Sequence, residues 1–223
     1  MIDLHTHTVF SDGELIPAEL ARRAKVAGYR ALAMTDHVDD SNVETVLAAV
    51  RQVTELYSPY MEIDLFCGVE LTHVPPALIS RVADRAREHG AQIVVVHGET
   101  IAEPVARGTN LAALEAGVDI LAHPGLITHE EVQLAAEKGV ALEISTRKGH
   151  SLTNGHVAAL ARRYGAKLVI NNDAHAPSDL VGEDMRKAVA LGAGLSLDEY
   201  RAAEENARGI LQKVLNRERA RRQ

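Results

Sequence analysis

A single repeating alternation limits what this chain can fold into. A short run of β-branched and aliphatic residues is followed by a polar or glycine-containing loop, then by an amphipathic helical stretch. Seven runs read as strands, over residues 2–5, 31–35, 63–70, 92–97, 120–123, 141–145 and 167–171. Helical periodicity fills the intervals, at 17–26, 43–57, 76–89, 111–116, 129–137 and 155–164, and two further helices, near 179–191 and 197–217, close the chain. Continuously apolar strands that alternate with helices form a parallel sheet covered by those helices, because parallel neighbours need a long crossover. Gly28, Gly90, Gly117, Gly139 and Gly165 each stand between a helical stretch and a strand, where a left-handed residue ends a helix. Pro17 and Pro76 open helices, where the missing N–H has no partner to lose. Seven such units fit a closed barrel better than an open nucleotide-binding sheet, and neither GxGxxG nor GxxxxGK[ST] follows the first strand. The expectation is an α/β barrel with helices outside.

No linker or low-complexity stretch divides the 223 residues, so one domain over 1–223 is expected, ending in a basic tail over 213–223. That tail reads as a solvated helix end whose cations complement the dipole. Twenty-four basic against 31 acidic residues give a net charge of −7, which counts against nucleic acid as the main partner. With seven aromatic residues and no Trp, the core must be built from Ala, Val, Leu and Ile. The lone Cys67 lies in an apolar strand and reads as core. The first eight residues carry Asp3, His5 and His7 instead of a signal peptide, and apolar runs stop at strand length. A cytoplasmic protein without a membrane partner is expected; oligomeric state is left open.

The eleven histidines are more informative than any of these totals. The first strand gives His5 and His7, with Asp12 in the loop behind; the second Asp36 and His37; the third Glu70; the fourth His97; the fifth His123. The seventh runs on to Asp173 and His175, and only the sixth strand carries no such end. In a parallel barrel all of these ends share one face, the face on which active sites are built. Gathering six imidazoles and three carboxylates there without a partner is expensive, and cations supply the partner. Imidazole and carboxylate without thiolate suit Zn²⁺, Mn²⁺ or Fe, and nine ligands suit two or three ions sharing a bridging carboxylate. Asp36 is placed either to orient a ligand or to cap a loop. His73 reads as rim, and His89, His129 and His156 as surface residues.

Taken in order, Asp3-Leu4-His5-Thr6-His7, Phe10-Ser11-Asp12-Gly13, Thr35-Asp36-His37, Gly68-Val69-Glu70, Val96-His97-Gly98, His123-Pro124-Gly125 and Asn172-Asp173-Ala174-His175 resemble the PHP (polymerase and histidinol phosphatase) family. The resemblance implies a distorted, TIM-like (β/α)₇ barrel with a di- or trinuclear metal centre. It implies one site of His5, His7, Glu70 and Asp173, a second of Glu70 as bridge with His97 and His123, and a third of Asp12, His37 and His175. On this reading Glu70, Asp12, His37 and His175 are also the residues nearest the chemistry.

Such a centre is expected to present a metal-activated hydroxide to phosphorus, so that no Ser or Cys nucleophile is needed. The loop after the sixth strand, Ser145-Thr146-Arg147-Lys148-Gly149-His150, supplies candidate phosphate ligands: Arg147 by bidentate contact, Lys148 or His150 by a second positive contact or a proton. Arg107 is a weaker candidate. The function expected is hydrolysis of a small phosphate monoester, histidinol-phosphatase-like. The alternatives are phosphodiester or nucleotide hydrolysis, exonuclease action included, and a non-catalytic metal-binding regulatory module.

Overall fold

The computed structural model describes residues 1–221, the side chain of Arg221 excepted; Arg222 and Gln223, the end of the expected basic tail, lie outside the described residues. Eight strands, β1 (Ile2–Asp3), β2 (Ala31–Met34), β3 (His37–Val38), β4 (Asp64–Leu71), β5 (Ile93–His97), β6 (Ile120–Ala122), β7 (Ala141–Ser145) and β8 (Leu168–Asn171), occupy seven barrel positions. β2 and β3 are one position interrupted at Thr35 and Asp36, since Met34 pairs with Cys67 and His37 with Glu70 in the same register. All pairings are parallel, in the order β1-β2-β4-β5-β6-β7-β8. A bridge between Thr6 and Ala174 brings the last strand back to the first, so the barrel is nearly closed.

Helices α1 (Pro17–Val26), α2 (Val43–Met61), α3 (Ile79–Glu88), α4 (Thr109–Glu115), α5 (His129–Lys138) and α6 (Asn154–Tyr164) link the strands, and α7 (Glu183–Gly192) and α8 (Leu197–Arg221) follow. Several boundaries depart from the periodicity, three of them with a visible cause or shape. α2 continues through Pro59 and stops at Glu62 in the left-handed region, whereas 76–89 begins as a 3₁₀ turn, Pro76–Leu78, before α3. The stretch from 179 is not yet helical, because the Asp179 carboxylate accepts the backbone N–H groups of His175 and Ala176 and closes a separate 3₁₀ turn, Pro177–Asp179. Among the described residues no helix is long and apolar enough to cross a membrane.

Apolar residues form two compartments. One lies between strands and helices and includes Cys67, whose thiol burial pushes up to about 12. The other is the barrel interior, where Ile2, Leu4, Ala33, Phe66, Ile93, Val95, Ile120 and Val169 meet Ala207, Leu211 and Val214 of α8. α8 therefore stoppers the N-terminal mouth: Asn206 donates to the Leu168 carbonyl at 2.9 Å, and Arg217 to the Gln92 carbonyl at 3.1 Å. With one end filled by aliphatic side chains, polar residues collect at the other.

The seam between β8 and β1 is held differently at each level. Near the polar end, Asp173 N–H donates to the His5 carbonyl and His7 N–H to the Ala174 carbonyl, both at 2.9 Å. Below, Arg186 of α7 is fully buried; its guanidinium donates to the carbonyls of Ile2 and Ile170 and pairs with Glu204 at 2.8 Å. Arg186→Met is expected to destabilise the fold by about 3 kcal/mol, since it strands a carboxylate and two strand carbonyls without donors. For a chain of this length that lowers Tm by roughly 6–12 °C in a thermal melt; an unchanged Tm contradicts the account of the seam.

Candidate metal centre

Each ligand candidate sits where a strand gives way to its loop. His5 and His7 follow β1, His37 opens β3, Glu70 and His97 lie near or at the ends of β4 and β5, and His123, Asp173 and His175 follow β6 and β8. His123 and Asp173 have φ of 27° and 52°, a left-handed conformation that costs a non-glycine residue about 1–3 kcal/mol and persists where surrounding structure enforces it. The enforcing contact at His123 is visible in its motif. A Cβ at Gly98 would collide with the Ala122 carbonyl, and one at Gly125 with the Glu99 carbonyl, so the loops after β5 and β6 pass in backbone contact. Asp12 is held by a different device: Asp36 accepts the Thr8 N–H and hydroxyl at 2.8 and 2.9 Å and the Ser11 hydroxyl at 2.7 Å. Asp36 thus caps the loop after β1 that carries Asp12.

Glu70, buried at the centre, touches histidines from four strand positions. Its Oε1 lies 3.2 Å from His5 Nε2, 3.4 Å from His97 Nδ1 and 3.6 Å from His123 Nε2. Its Oε2 lies 2.7 Å from His37 Nδ1 and 3.5 Å from His7 Nε2. Asp173 Oδ1 is 3.2 Å from His7 Nε2 and 3.6 Å from His5 Nε2, and its Oδ2 is 3.6 Å from His123 Nε2. Asp12 Oδ1 is 3.1 Å from His175 Nε2 and 3.4 Å from His37 Nε2. Donor atoms within 4.8 Å of one another fall into groups His5/His7/Glu70, His5/His123/Asp173, Glu70/His97/His123, His7/Asp12/His37/His175 and His73/His97/Glu103. The first four groups draw on the nine expected ligand residues, with His5/His123/Asp173 spanning two of the expected sites and His7 standing between the first and the third.

Whether cations fit is decided by what the buried atoms lack. His5 Nε2, His7 Nε2, Glu70 Oε1, His97 Nδ1, His123 Nε2 and Asp173 Oδ1 are all buried and have no hydrogen-bond partner. Buried polar atoms are almost always paired, and each left unpaired costs on the order of 1–3 kcal/mol. All six face one another across the same centre, so divalent ions would satisfy them together. The charge balance agrees. Burial alone would raise the Glu70 carboxyl, but His5 and His37 hold it well below the usual carboxylate range. Against its own burial, His37 is lifted to about 10 by Glu70 and Asp12, and His97 to about 9 by Glu103 and Glu70. His7, where burial dominates, is pushed down to about 3 and is a neutral ring ready to coordinate.

Two residues unread in the sequence belong to this centre. Glu143 sits on β7, the strand without a polar end; it is buried, faces inward with Ala141, and its Oε2 lies 2.8 Å from His5 Nδ1. Its position one pleat below the strand end hid it, although alternation from Ser145 carried the signal. Glu103, in the loop after β5, reaches His97 Nε2 at 3.0 Å and His150 Nε2 at 3.4 Å.

Above the ligands opens a cavity of about 230 Å³, walled by Asp12, His37, His97, Asp173 and His175 together with His73, Glu103, Arg147 and His150. Arg147 donates to the Asp173 carbonyl at 3.0 Å and contacts His175 Nδ1. His150 is fixed by Thr100 at 2.9 Å, and burial with the nearby His123 pushes it down to about 4, so it enters as a neutral ring and not a second cation. Lys148 lines an adjoining cavity of about 570 Å³ that shares Arg147 and His175 with the first. Arg107 is not brought to the centre. Glu99 Oε1 accepts the N–H groups of Gly108 and Asn110 and folds that loop over a separate cavity of about 400 Å³. The three remaining histidines lie away from the cavity: His89 pairs with Glu44, His129 with the Tyr164 hydroxyl and His156 with the Ile127 carbonyl. A larger space, about 620 Å³, lies at the opposite end beside Arg51, Gln92 and Leu215 and holds no histidine.

The PHP domain matches residues 3–139. The chain belongs to the PHP domain family. In this PHP protein the match ends before β7, so Glu143, Arg147, Asp173 and His175 come from the part beyond it. An uncharacterized protein of Methanocaldococcus jannaschii is 51% identical over 199 residues, covering 88% of this chain and 91% of that one. Ribonuclease P protein component 3 of Methanosarcina barkeri is 28% identical over 213 residues, covering 88% of this chain and 82% of that one. The DNA polymerase/3'-5' exonuclease PolX of Bacillus subtilis is 27% identical over 194 residues, which span 78% of this chain and 34% of that protein. Among solved structures, a chain of archaeal ribonuclease P with mature tRNA shares the fold, with a TM-score of 0.70, 18% identity and coverage of 96% and 91%.

Proposed function

We propose that this PHP protein is a metal-dependent phosphoesterase that hydrolyses a small phosphate monoester. The observation that carries the reading is the set of buried, mutually facing and unpartnered imidazole and carboxylate atoms beneath a cavity of about 230 Å³. His5, His7, Glu70 and Asp173, Glu70 with His97 and His123, and Asp12 with His37 and His175 would hold the ions. Bound there, divalent zinc, manganese or iron ions supply Lewis-acid polarisation of a phosphoryl oxygen and lower the pKa of a water toward neutrality.

The chain's own residues do the rest. Glu70 and Asp173 present the anionic oxygens against which positive charge is held. Arg147 stands in the cavity wall with its guanidinium pinned by the Asp173 carbonyl, an orientation suited to receiving non-bridging phosphate oxygens. A cavity of about 230 Å³ suits a phosphate with a compact leaving group. If Arg147 binds phosphate equally in ground and transition states, Arg147→Ala is expected to raise KM about tenfold with kcat nearly unchanged. Steady-state kinetics on p-nitrophenyl phosphate test this; unaltered KM removes Arg147 from the substrate site.

A second reading, hydrolysis at a nucleotide or nucleic-acid phosphate, is favoured by the relatives, which include an exonuclease and a ribonuclease P component. The acidic chain argued against nucleic acid, but these relatives keep it as a partner to be tested. The ribonuclease P likeness also supports the third reading, a metal-binding module without turnover. One panel separates the three with manganese- or zinc-loaded protein. Release of phosphate from p-nitrophenyl or histidinol phosphate supports the monoesterase, and preference for bis-p-nitrophenyl phosphate or short oligonucleotides supports the second reading. Bound metal with no turnover on any of them supports the third.

A further inference from the structure

We propose that Glu143 is the positioning residue that selects which nitrogen of His5 faces the metal centre, and that this selection originates in the backbone seam of the barrel. The inference rests on the metal-centre part of the reading above, and its test is independent of turnover.

The argument is a chain of donors and acceptors with one consistent assignment. Leu4 N–H can only donate, and it donates to Asn171 Oδ1 at 3.0 Å. That contact fixes the amide of Asn171, so its NH₂ group is the one turned to Glu143, donating to Oε2 at 2.9 Å. Oε2 is thereby an acceptor, and it also lies 2.8 Å from His5 Nδ1. His5 must then carry its proton on Nδ1. With a cation in the centre in place of a second proton, the Nε2 lone pair would be the ligating one, and Nε2 is the buried atom, without a hydrogen-bond partner, that points at Glu70 and Asp173. All members of the relay are buried, so water does not compete for these roles.

His97 shows the converse arrangement. Its Nε2 faces Glu103 at 3.0 Å, and Nδ1 is the atom turned to Glu70 at 3.4 Å. Two histidines on one bridging carboxylate thus present opposite nitrogens, each according to where its carboxylate partner stands. A carboxylate behind a coordinating histidine fixes the tautomer and raises the basicity of the ligating nitrogen; removing such a partner typically weakens metal binding about 10–100-fold. β7 therefore contributes to the centre through a residue that need not touch an ion.

The test uses the full chain. Zinc is titrated into metal-free protein against a chromophoric chelator for wild type, Glu143→Leu and Glu143→Gln. Glu143→Leu is expected to weaken one zinc equivalent about 10–100-fold and leave the others unchanged. Glu143→Gln, which retains an acceptor, is expected to fall between Leu and wild type. Long-range ¹H–¹⁵N correlation on zinc-loaded wild type should show His5 protonated at Nδ1 and coordinated through Nε2, a readout that survives even where Glu143→Leu fails to fold. Coordination of His5 through Nδ1, or zinc binding by Glu143→Leu equal to wild type, overturns the proposal. A protein that binds zinc as described but hydrolyses no phosphate ester leaves it standing and removes only the phosphoesterase reading.

Discussion

Glu70→Gln is expected to lower phosphate-ester hydrolysis by at least about 10³-fold while leaving the fold in place. The carboxylate lies within 3.6 Å of five imidazoles, from His5, His7, His37, His97 and His123, so no other single group meets so many ligand candidates. A neutral amide of the same shape keeps the packing but offers one oxygen where two anionic ones stood. It also turns an NH₂ group toward positive charge. Losing one well-placed electrostatic element typically costs about 10²–10³ in kcat, and a bridging ligand serves more than one ion at once. The check is kcat on a saturating phosphate monoester together with metal content by elemental analysis. Glu70→Gln protein that keeps a tenth of wild-type kcat with full metal would falsify the bridging role.

Stripping the metals should have the second large effect, on stability as well as activity. A ligand that binds only the folded state stabilises it by about 4 kcal/mol at a thousandfold excess over Kd. For a chain of this length that corresponds to a fall in Tm of roughly 8–16 °C on chelation. The physical cause is visible in the site: without cations, six central atoms have no hydrogen-bond partner, and protons on the histidines, with Arg147 beside Asp173, are the remaining counter-charge for buried Glu70 and Asp173. Hydrolysis should vanish with the metals and return on adding Mn²⁺ or Zn²⁺. Equal melting curves before and after chelation, with metal loss verified, would show that the cluster carries no such burden.

Most of the architecture could be read from the chain because strand–helix alternation and glycine stops are local signals. The ligand candidates were readable for a related reason. A polar residue that terminates an apolar strand stands out, and barrel topology then collects all such ends without any knowledge of long-range contacts. What escaped notice lacked that contrast. Glu143 lies inside its strand, and only the direction of the pleat separates it from an ordinary core position. Glu103 is in a loop whose path is set by Glu99 and the glycine contacts around it. Arg107, on that same loop, is the weaker phosphate candidate of the sequence and is carried elsewhere. The split of one barrel position into β2 and β3 and the sealing of the barrel floor by α8 depend on packing between distant segments, which periodicity does not encode.

The joint between Thr6 and Ala174 sets a condition on when the site can exist. Residues 5 and 173 share a hydrogen bond and a centre, though 168 positions of chain separate them. Assembly of so non-local a pairing is slow compared with forming the helices between, because ring closure over a long contour must come first. During synthesis a ribosome will have released nearly four-fifths of the polypeptide before its opening histidines meet Asp173. On the proposed reading, an ion captured earlier would be held by an incomplete shell and free to exchange, so the choice among metals would be made only once this joint has closed.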